Sequence, residues 1–238
     1  MKSRKKIVRL LGILLFWVGV LLGMALAAGA VWADIEATFY GFSKMGDEPL
    51  NLRCPIFVTA AEPGEIASSF KNPTEKPMQI MARTDVSGQG GIRTANTTVT
   101  LAPGEKKELR WPVTSEDVNL GFFILAKVSS FPAYPFPFRE SMCGMLFIRT
   151  TALSGNQIFV LLVVASLVSM AAGLVLWQVG NKPLRGKMIS ATWAMRVLAA
   201  IVVIGMFVAF QGWWAVGIIT IVLMVLMIVA MMYFAAPG

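Results

Sequence analysis

Four long apolar segments constrain the fold of this 238-residue chain more than any other feature. The first occupies residues 10–31, and the others occupy residues 158–179, about 189–210 and 213–234. A helix of 22 residues extends roughly 33 Å at about 1.5 Å per residue, enough to cross a hydrocarbon core about 30 Å thick. Hydrophobic residues make up 56% of the chain and charged residues 14%, which is too apolar for an ordinary soluble domain. The sequence therefore predicts four transmembrane helices.

The distribution of charge predicts how these helices are oriented. All 13 acidic residues and 12 of the 21 basic residues lie within residues 34–152, where they nearly balance. Eight of the nine remaining basic residues either precede the first apolar segment or lie in the linker 181–187. Because basic residues mark segments that stay in the cytoplasm, we expect cytoplasmic N- and C-termini and an extracytoplasmic segment 34–152. This topology is that of a multi-pass protein of the cell membrane.

The first apolar segment permits two interpretations. Small residues around Val31-Trp32-Ala33 offer a cleavage point, so the segment is either a retained helix or a cleaved signal peptide. Its 22 residues exceed the roughly 7 to 15 of a signal-peptide core, which favours a retained helix. The chain is thus divided into a basic N-terminus with the first helix (1–33), an inserted domain (34–152) and three further helices (153–238).

The inserted domain reads as a series of short β-strands. Strands are predicted at residues 35–42, 50–59, 65–71, 78–86, 97–101, 106–113, 122–129 and 142–148. Turn sequences such as Glu62-Pro63-Gly64 and Ala102-Pro103-Gly104 separate them. Strands of this length and spacing predict an all-β sandwich. The fold class is therefore an α + β membrane protein, in which the sandwich is inserted between the first and second of four helices.

Two stretches of the inserted domain carry a more specific pattern. One runs from Pro63-Gly64-Glu65 to Asn72-Pro73, and the other from Val99 through Pro103-Gly104-Glu105 to Leu109-Arg110-Trp111. This pattern resembles Ig-like domains of bacterial surface proteins, of the cell-adhesion-related type. The resemblance covers about half of the inserted domain and implies an Ig-like β-sandwich. It implies no particular activity, since sandwiches of this kind host unrelated functions.

Cys54 and Cys143 are the only cysteines, and both lie in the predicted extracytoplasmic segment. An oxidising compartment favours a disulfide, which would close a loop of about 90 residues and stabilise the domain by roughly 4 kcal/mol in the chain-entropy model. Two free buried thiols are the alternative. With Met142 and Met145, the same cysteines also permit a copper or redox site. Because the chain has no histidine and this strand is otherwise apolar, packing and a disulfide are favoured, and no metal or cofactor is expected.

The absence of histidine also limits the reactions open to this chain. Histidine is the usual acid–base catalyst, the usual activator of serine and cysteine nucleophiles, and a common zinc and haem ligand. The net charge of +8 arises in the predicted cytoplasmic segments and marks no nucleic-acid-binding surface. We therefore predict a non-enzymatic protein that does not bind nucleic acid.

An aromatic, proline-rich segment joins the last two predicted strands. Three prolines lie among its four aromatic residues, which are Phe131, Tyr134, Phe136 and Phe138. Proline fixes φ and withholds a backbone donor, so a stiff loop at the membrane-distal end of the domain is predicted. These rings either bind a protein partner or fold back over the end of the sandwich.

Small residues recur at four-residue spacing in the helices, where they let backbones approach closely. The stripes are Gly19, Gly23 and Ala27 in the first helix, and Ala165, Ser169 and Gly173 in the second. They favour packing within the bundle, and the first helix is the one best suited to contact another subunit. Arg196 lies near the cytoplasmic end of its helix, and no apolar segment carries an acidic residue to pair with it.

Two functions are compatible with these features. The first is a non-enzymatic membrane protein whose Ig-like domain binds or scaffolds a protein partner at the outer face, as an accessory subunit of an envelope complex. The second is a transporter-like protein that handles small molecules or lipids among its helices, or copper and redox handling through the Cys and Met residues. The lack of acidic residues and histidines in the helices favours the first.

Overall fold

The computed structural model of the protein describes residues 2–42, 48–132, 136–183 and 186–235. In chain order, its elements are α1 (Lys2–Phe39), β1 (Glu48–Pro49), β2 (Leu52–Arg53), β3 (Phe57–Thr59), β4 (Gly64–Lys71), β5 (Met78–Val86), β6 (Arg93–Leu101), β7 (Lys106–Val113), a short 3-10 helix (Ser115–Asp117), β8 (Phe123–Pro132), β9 (Arg139–Ile148), α2 (Gly155–Gly180), α3 (Lys187–Phe210) and α4 (Trp214–Ala235). These elements form two compact units. One is a β domain of residues 32–159, and the other is a helical unit formed by the rest of the chain.

Four helices in the described part of the chain are long and apolar enough to cross a membrane. They are Lys5–Phe39, Gly155–Gly180, Met188–Phe210 and Trp214–Tyr233. The predicted number of apolar helices and their order, one before and three after the β domain, are confirmed. Their length and composition indicate a membrane-spanning protein.

Several glycines lie in close contact with a neighbouring helix within the helical unit. A Cβ on Gly19 would lie 2.7 Å from the carbonyl oxygen of Ser166, and the Ser166 hydroxyl donates a hydrogen bond of 2.8 Å to the Gly19 carbonyl. Gly173 of α2 lies against the backbone of Phe16, and Gly23 lies against α3. The glycines of α1 and α2 therefore allow the two helices to pack closely within one chain.

The predicted small-residue stripe of α2 is offset by one position from the side that faces α1. Ser166 and Met170 are buried, whereas Ala165 and Ser169 are only half-buried. Gly173 belongs both to the predicted stripe and to the side of α2 that faces α1. Small residues at four-residue spacing pointed to the correct region of α2, but the contact with α1 also uses Met170, which a search for small residues alone misses.

A different side of α1 is exposed. Its large apolar side chains Leu10, Leu14, Val18 and Leu21 are each more than half exposed and recur at helical spacing. In a membrane these side chains would face lipid. Contact between the first helix and another subunit stays a prediction, and it would use this stripe, because the glycines are already engaged within the chain.

The β domain consists of two sheets. The larger sheet has the order β1–β9–β8–β5–β6, with β3 also paired with β9, and the smaller sheet has the order β2–β4–β7. Ile66 and Trp111 of the smaller sheet and Ile80, Val128 and Met145 of the larger sheet are buried in one core. Two sheets that share a core agree with the predicted β-sandwich.

The strand predictions differ in how well they locate the observed strands. Strands β5 and β7 have the predicted bounds, β6 begins earlier than predicted, at Arg93, and the region 50–59 divides into β2 and β3. The prediction of a strand at residues 35–42 is wrong, because α1 continues without a break to Phe39.

Two alanines explain why α1 continues onto the sheet. Ala33 and Ala37 lie four residues apart on one side of the helix and pack against Phe123 and Leu125 on the outer face of the larger sheet. Opposite them, Gly144 of β9 permits the close approach, since a Cβ there would overlap the carbonyl of Ala33. A glycine inside a strand often marks such an approach of another backbone.

A disulfide between Cys54 and Cys143 links the segment between β2 and β3 to β9. The two Cα atoms are 6.5 Å apart, and the residues are 89 positions apart in sequence. Closing so long a loop stabilises a fold by about 4 kcal/mol when loop entropy dominates. Joined in this way, neither cysteine offers the thiolate that a copper site would need.

Asn72 ties the turn after β4 to the end of β6. Its fully buried side-chain amide donates to the carbonyls of Lys76, Leu101 and Ala102 at 2.8, 3.0 and 3.1 Å. Its carbonyl oxygen accepts hydrogen bonds from the backbone and hydroxyl of Thr74. This buried amide therefore joins the turn between β4 and β5 to the end of β6.

Candidate partner-binding surfaces

The structure divides the aromatic segment into two parts. Phe136 packs against the core of the sandwich. Phe131 and Phe138 contact each other instead, with ring centroids 4.6 Å apart. Tyr134 lies outside the described residues. One ring thus folds back over the sandwich end, as one interpretation of the sequence expected, while two others form a separate pair.

Phe131 lies on the outer face of the larger sheet. Its register partner on β5 is Met81, whereas the adjacent Ile80 is 3% exposed and belongs to the core. Facing residues of an antiparallel pair point to the same side, so Phe131 and Met81 share the outer face. We call Phe138, Phe131 and Met81 the aromatic strip. Met81 is 38% exposed and pairs in turn with Thr98 of β6.

The aromatic strip therefore ends at β6, which is an edge strand. In the described ranges, β6 pairs with β5 alone. Its exposed side chains Thr94, Asn96, Thr98 and Thr100 are short, polar and uncharged. The free N–H and C=O groups of an edge strand are a template on which another strand can pair.

Other edges of the two sheets are protected against such pairing. The edge strand β7 of the smaller sheet carries Lys106, Lys107 and Pro112. Strands β1 and β2 contain two residues each. Lysine, proline and very short strands all discourage the addition of a further strand. From Thr94 to Leu101, β6 has none of these features.

A polar band crosses the larger sheet between the aromatic strip and the area that α1 covers. Lys127 and Glu140 form an ion pair of 2.9 Å, with side chains only 2% and 4% exposed. Asp85 pairs in register with Lys127 and accepts a hydrogen bond from Arg83 at 2.9 Å. Because these charged groups pair with one another, the pairing offsets the cost of burying Lys127, Glu140 and Asp85.

A cleft of about 970 Å³ opens at the opposite end of the sandwich, between residues 88–93 and 112–118. Asp117 is its most buried acidic group and accepts two hydrogen bonds from Arg93, at 2.9 and 2.8 Å. The same carboxylate accepts from the backbone amide of Thr114 at 2.8 Å. These bonds give Asp117 a structural role, as the N3 residue of the capping box in which Thr114 is the N-cap of the 3-10 helix. Within the described residues, no three His, Cys, Asp or Glu side chains converge as a metal site requires.

Sequence reasoning missed Met81 and the edge of β6 as parts of a candidate surface. Met81 reads as an ordinary outward residue until the strand register places it between Phe131 and Thr98. The sequence does contain a signal for the edge strand β6, because residues 94–101 form a strand-forming run without charge or proline. Its position at the border of the sheet could not be read from the sequence.

Comparisons with known proteins add little to this description. No family model matches the chain, and no curated protein sequence is similar to it. Among solved structures, the CARDB domain of a Pyrococcus furiosus protein, in complex with di-metal ions, is 16% identical, with a TM-score of 0.31; the match covers 46% of this chain and 98% of that domain.

Two enzymes also have regions of similar structure. Beta-glucuronidase 2 from Bacteroides uniformis is 13% identical over 42% of this chain and 13% of the enzyme, with a TM-score of 0.31. A cycloisomaltooligosaccharide glucanotransferase from Paenibacillus is 14% identical over 45% of this chain and 15% of the enzyme, with a TM-score of 0.34. The chain thus matches only a small part of either enzyme.

Proposed function

We propose that the protein is a non-enzymatic, multi-pass membrane protein whose extracytoplasmic β domain binds a protein partner. In this role it acts as a scaffold or accessory subunit of a cell-envelope complex, with both termini in the cytoplasm. The observation that carries the proposal is the continuity of the aromatic strip with the free edge of β6. The strip supplies apolar contact area, and the edge supplies backbone hydrogen bonds.

Binding by strand addition fits this surface. An extended segment of the partner would pair with β6 through main-chain hydrogen bonds, which give affinity without demanding a particular sequence. Side chains of that segment would then reach Met81 and Phe131, and aromatic residues are common among those that dominate binding energy. The ring contact between Phe131 and Phe138 orders the strip beforehand, which lowers the entropy cost of association.

The proposal assigns different roles to the aromatic residues. Phe131 and Phe138, and Tyr134 between them, would contact the partner. Phe136 packs against the core and would support the loop from inside. Replacing Phe136 should therefore affect folding, whereas changes in the strip should affect binding.

Site-specific photocrosslinking in native membranes tests this proposal. A photoreactive phenylalanine analogue at Thr98 should crosslink to one defined protein, because this position lies on the free edge beside Met81. The same analogue at Lys107, on the protected edge of the smaller sheet, is the control and should not capture that protein. Equal capture from both positions, or capture from neither, would refute a partner site at β6.

A matched pair of substitutions tests the aromatic strip. Met81→Lys places a charge in the strip, and Gln79→Lys places the same charge two residues away on the same exposed side of β5. We expect Met81→Lys to reduce crosslinking from Thr98 by about tenfold or more, the loss that corresponds to 1.4 kcal/mol of binding energy. Gln79→Lys should reduce it much less. If both variants crosslink like the parent, the strip takes no part in binding.

A further inference from the structure

The turn that leads into β8 presents large apolar side chains to solvent. Leu120 is 56% exposed and Phe122 is 45% exposed, with Gly121 between them. Turns of this kind usually carry Gly, Asn, Asp or Ser, which satisfy the backbone or adopt positive φ easily. Two exposed apolar side chains on one turn therefore need an explanation other than turn formation.

Hydrogen bonds hold this turn in one conformation. Asn119 and Phe123 exchange backbone hydrogen bonds of 2.6 and 3.0 Å across its base. The Asn119 side chain accepts from the Leu120 amide at 2.7 Å and donates to the Tyr40 hydroxyl oxygen at 2.6 Å. Leu120 and Phe122 thus project from a base that is closed by its own hydrogen bonds and joined to Tyr40, directly after α1.

The backbone of the turn is strained at Leu120. This residue has a φ of +50°, and among the described residues it is the one non-glycine residue with a positive φ. Left-handed backbone is unfavourable for a side chain such as leucine, whereas Gly or Asn would adopt it readily. Leu120 is also too exposed to stabilise the core. A strained and exposed leucine indicates a role for its side chain outside the folded domain.

Chain connectivity limits the distance between this end of the domain and the apolar helix α2. Phe123, directly after the turn, pairs with Leu146 near the end of β9. Only residues 149–154 separate β9 from α2, and six residues span at most about 20 Å. Ile92, in the neighbouring hairpin, is also exposed, and so is Leu153 in the connection itself.

We propose that the turn Leu120–Phe122 inserts into the interfacial region of the outer leaflet and anchors the β domain on the lipid surface. Leucine and phenylalanine lose unfavourable contact with water when they enter this region. Arg149 lines the cleft at this end and offers a guanidinium group to a lipid phosphate. This lipid contact lies at the opposite end of the sandwich from the aromatic strip. It does not depend on the proposed protein partner.

Fluorescence quenching in vesicles tests this proposal with the full chain. The parent cysteines are joined in the disulfide, so a cysteine at a chosen position can be labelled selectively with an environment-sensitive dye. The labelled protein is reconstituted into phosphatidylcholine and phosphatidylglycerol vesicles that carry quenchers near the headgroup ends of the acyl chains. A dye at Ile92→Cys, at the same end of the sandwich as the turn, should show blue-shifted emission and quenching. A dye at Ala102→Cys, at the other end of the sandwich, should show neither.

A second pair of variants separates lipid insertion from folding. Leu120→Asn relieves the backbone strain and removes the apolar side chain, so the domain should unfold at the same or a higher temperature. Combined with Phe122→Ser, it should reduce the quenching at position 92 to less than about half that of the parent turn. Asn96→Ser and Thr98→Ser together, on the distant β6 edge, should leave the quenching unchanged.

If the dye at position 92 is quenched equally with and without Leu120 and Phe122, the proposal is wrong. Because the vesicles contain no protein partner, this result is independent of the crosslinking test.

Discussion

The backbone amide of Gly144 donates a hydrogen bond of 3.1 Å to a carboxylate oxygen of Asp34, which joins the end of α1 to the middle of β9. A methyl group at Gly144 would overlap the carbonyl of Ala33, so one of the two backbones would have to move. We expect Gly144→Ala to lower the free energy of unfolding by about 3 kcal/mol. Chemical denaturation in detergent, followed by tryptophan fluorescence, measures the loss. Gly90→Ala is the control, because a methyl group there would meet open space. Similar losses in both variants would contradict the close approach of α1.

Replacing Asn72 by Asp tests the buried amide that joins the turn after β4 to the end of β6. Aspartate has nearly the same shape, but it cannot donate to the three backbone carbonyls that the amide of Asn72 contacts. Leaving these acceptors beside a buried carboxylate should destabilise the domain by about 3 kcal/mol. Thermal unfolding by circular dichroism measures this effect. The same change at exposed Asn96 should cost less than about 0.5 kcal/mol. Equal effects at the two positions would show that the Asn72 contacts contribute little.

Removal of the disulfide should destabilise the β domain. The double variant Cys54→Ala/Cys143→Ala lacks a covalent link between residues 89 positions apart, and we expect a loss of about 2–5 kcal/mol. Denaturation with and without a reducing agent provides the check. Reductant should destabilise the parent and leave the double variant unchanged. A parent protein that is indifferent to reductant would mean that the bond contributes nothing to stability.

The packing of α2 against α1 can be tested with two valine substitutions in the same helix. Gly173 lies against the backbone of Phe16 and Gly12, whereas Ala171 is exposed. We expect Gly173→Val to destabilise the helical unit by about 2–3 kcal/mol, because its larger side chain forces the helices apart. Ala171→Val should have little effect. Unfolding by sodium dodecyl sulfate in mixed micelles measures both. If the Ala171 variant unfolds as readily as the Gly173 variant, close contact at Gly173 is not what holds these helices together.

The parts of the fold that the sequence predicted correctly depend on local signals. The four helices follow from uninterrupted apolar residues, and β5 and β7 follow from strand-forming runs bounded by Pro, Gly and Asn turns. The helical continuation of α1 beyond Val31 has a weaker signal. Ala33 and Ala37 have helical spacing, but their contact with the sheet depends on Gly144, more than 100 residues away, which leaves room for the backbone at Ala33.

The candidate partner surface depends on contacts that no local pattern reveals. The sequence marked Phe131, Phe136 and Phe138 together, whereas the structure places Phe136 against the core and pairs the other two rings. The register of β8 against β5 places Phe131 on the outer face of the larger sheet. The same register brings Met81 beside Phe131. The location of the free edge likewise depends on the strand order of the whole sheet.

The disulfide also determines how the β domain would carry mechanical force. The chain enters the domain from α1 and leaves it into α2, so tension applied along the chain between these two helices would load the two ends of the domain. Because Cys54 lies near the first end and Cys143 near the last, tension would pass through the sulfur bridge and bypass strands β3 to β8. The edge of β6 would thus keep its shape under load, with only short flanking segments free to stretch.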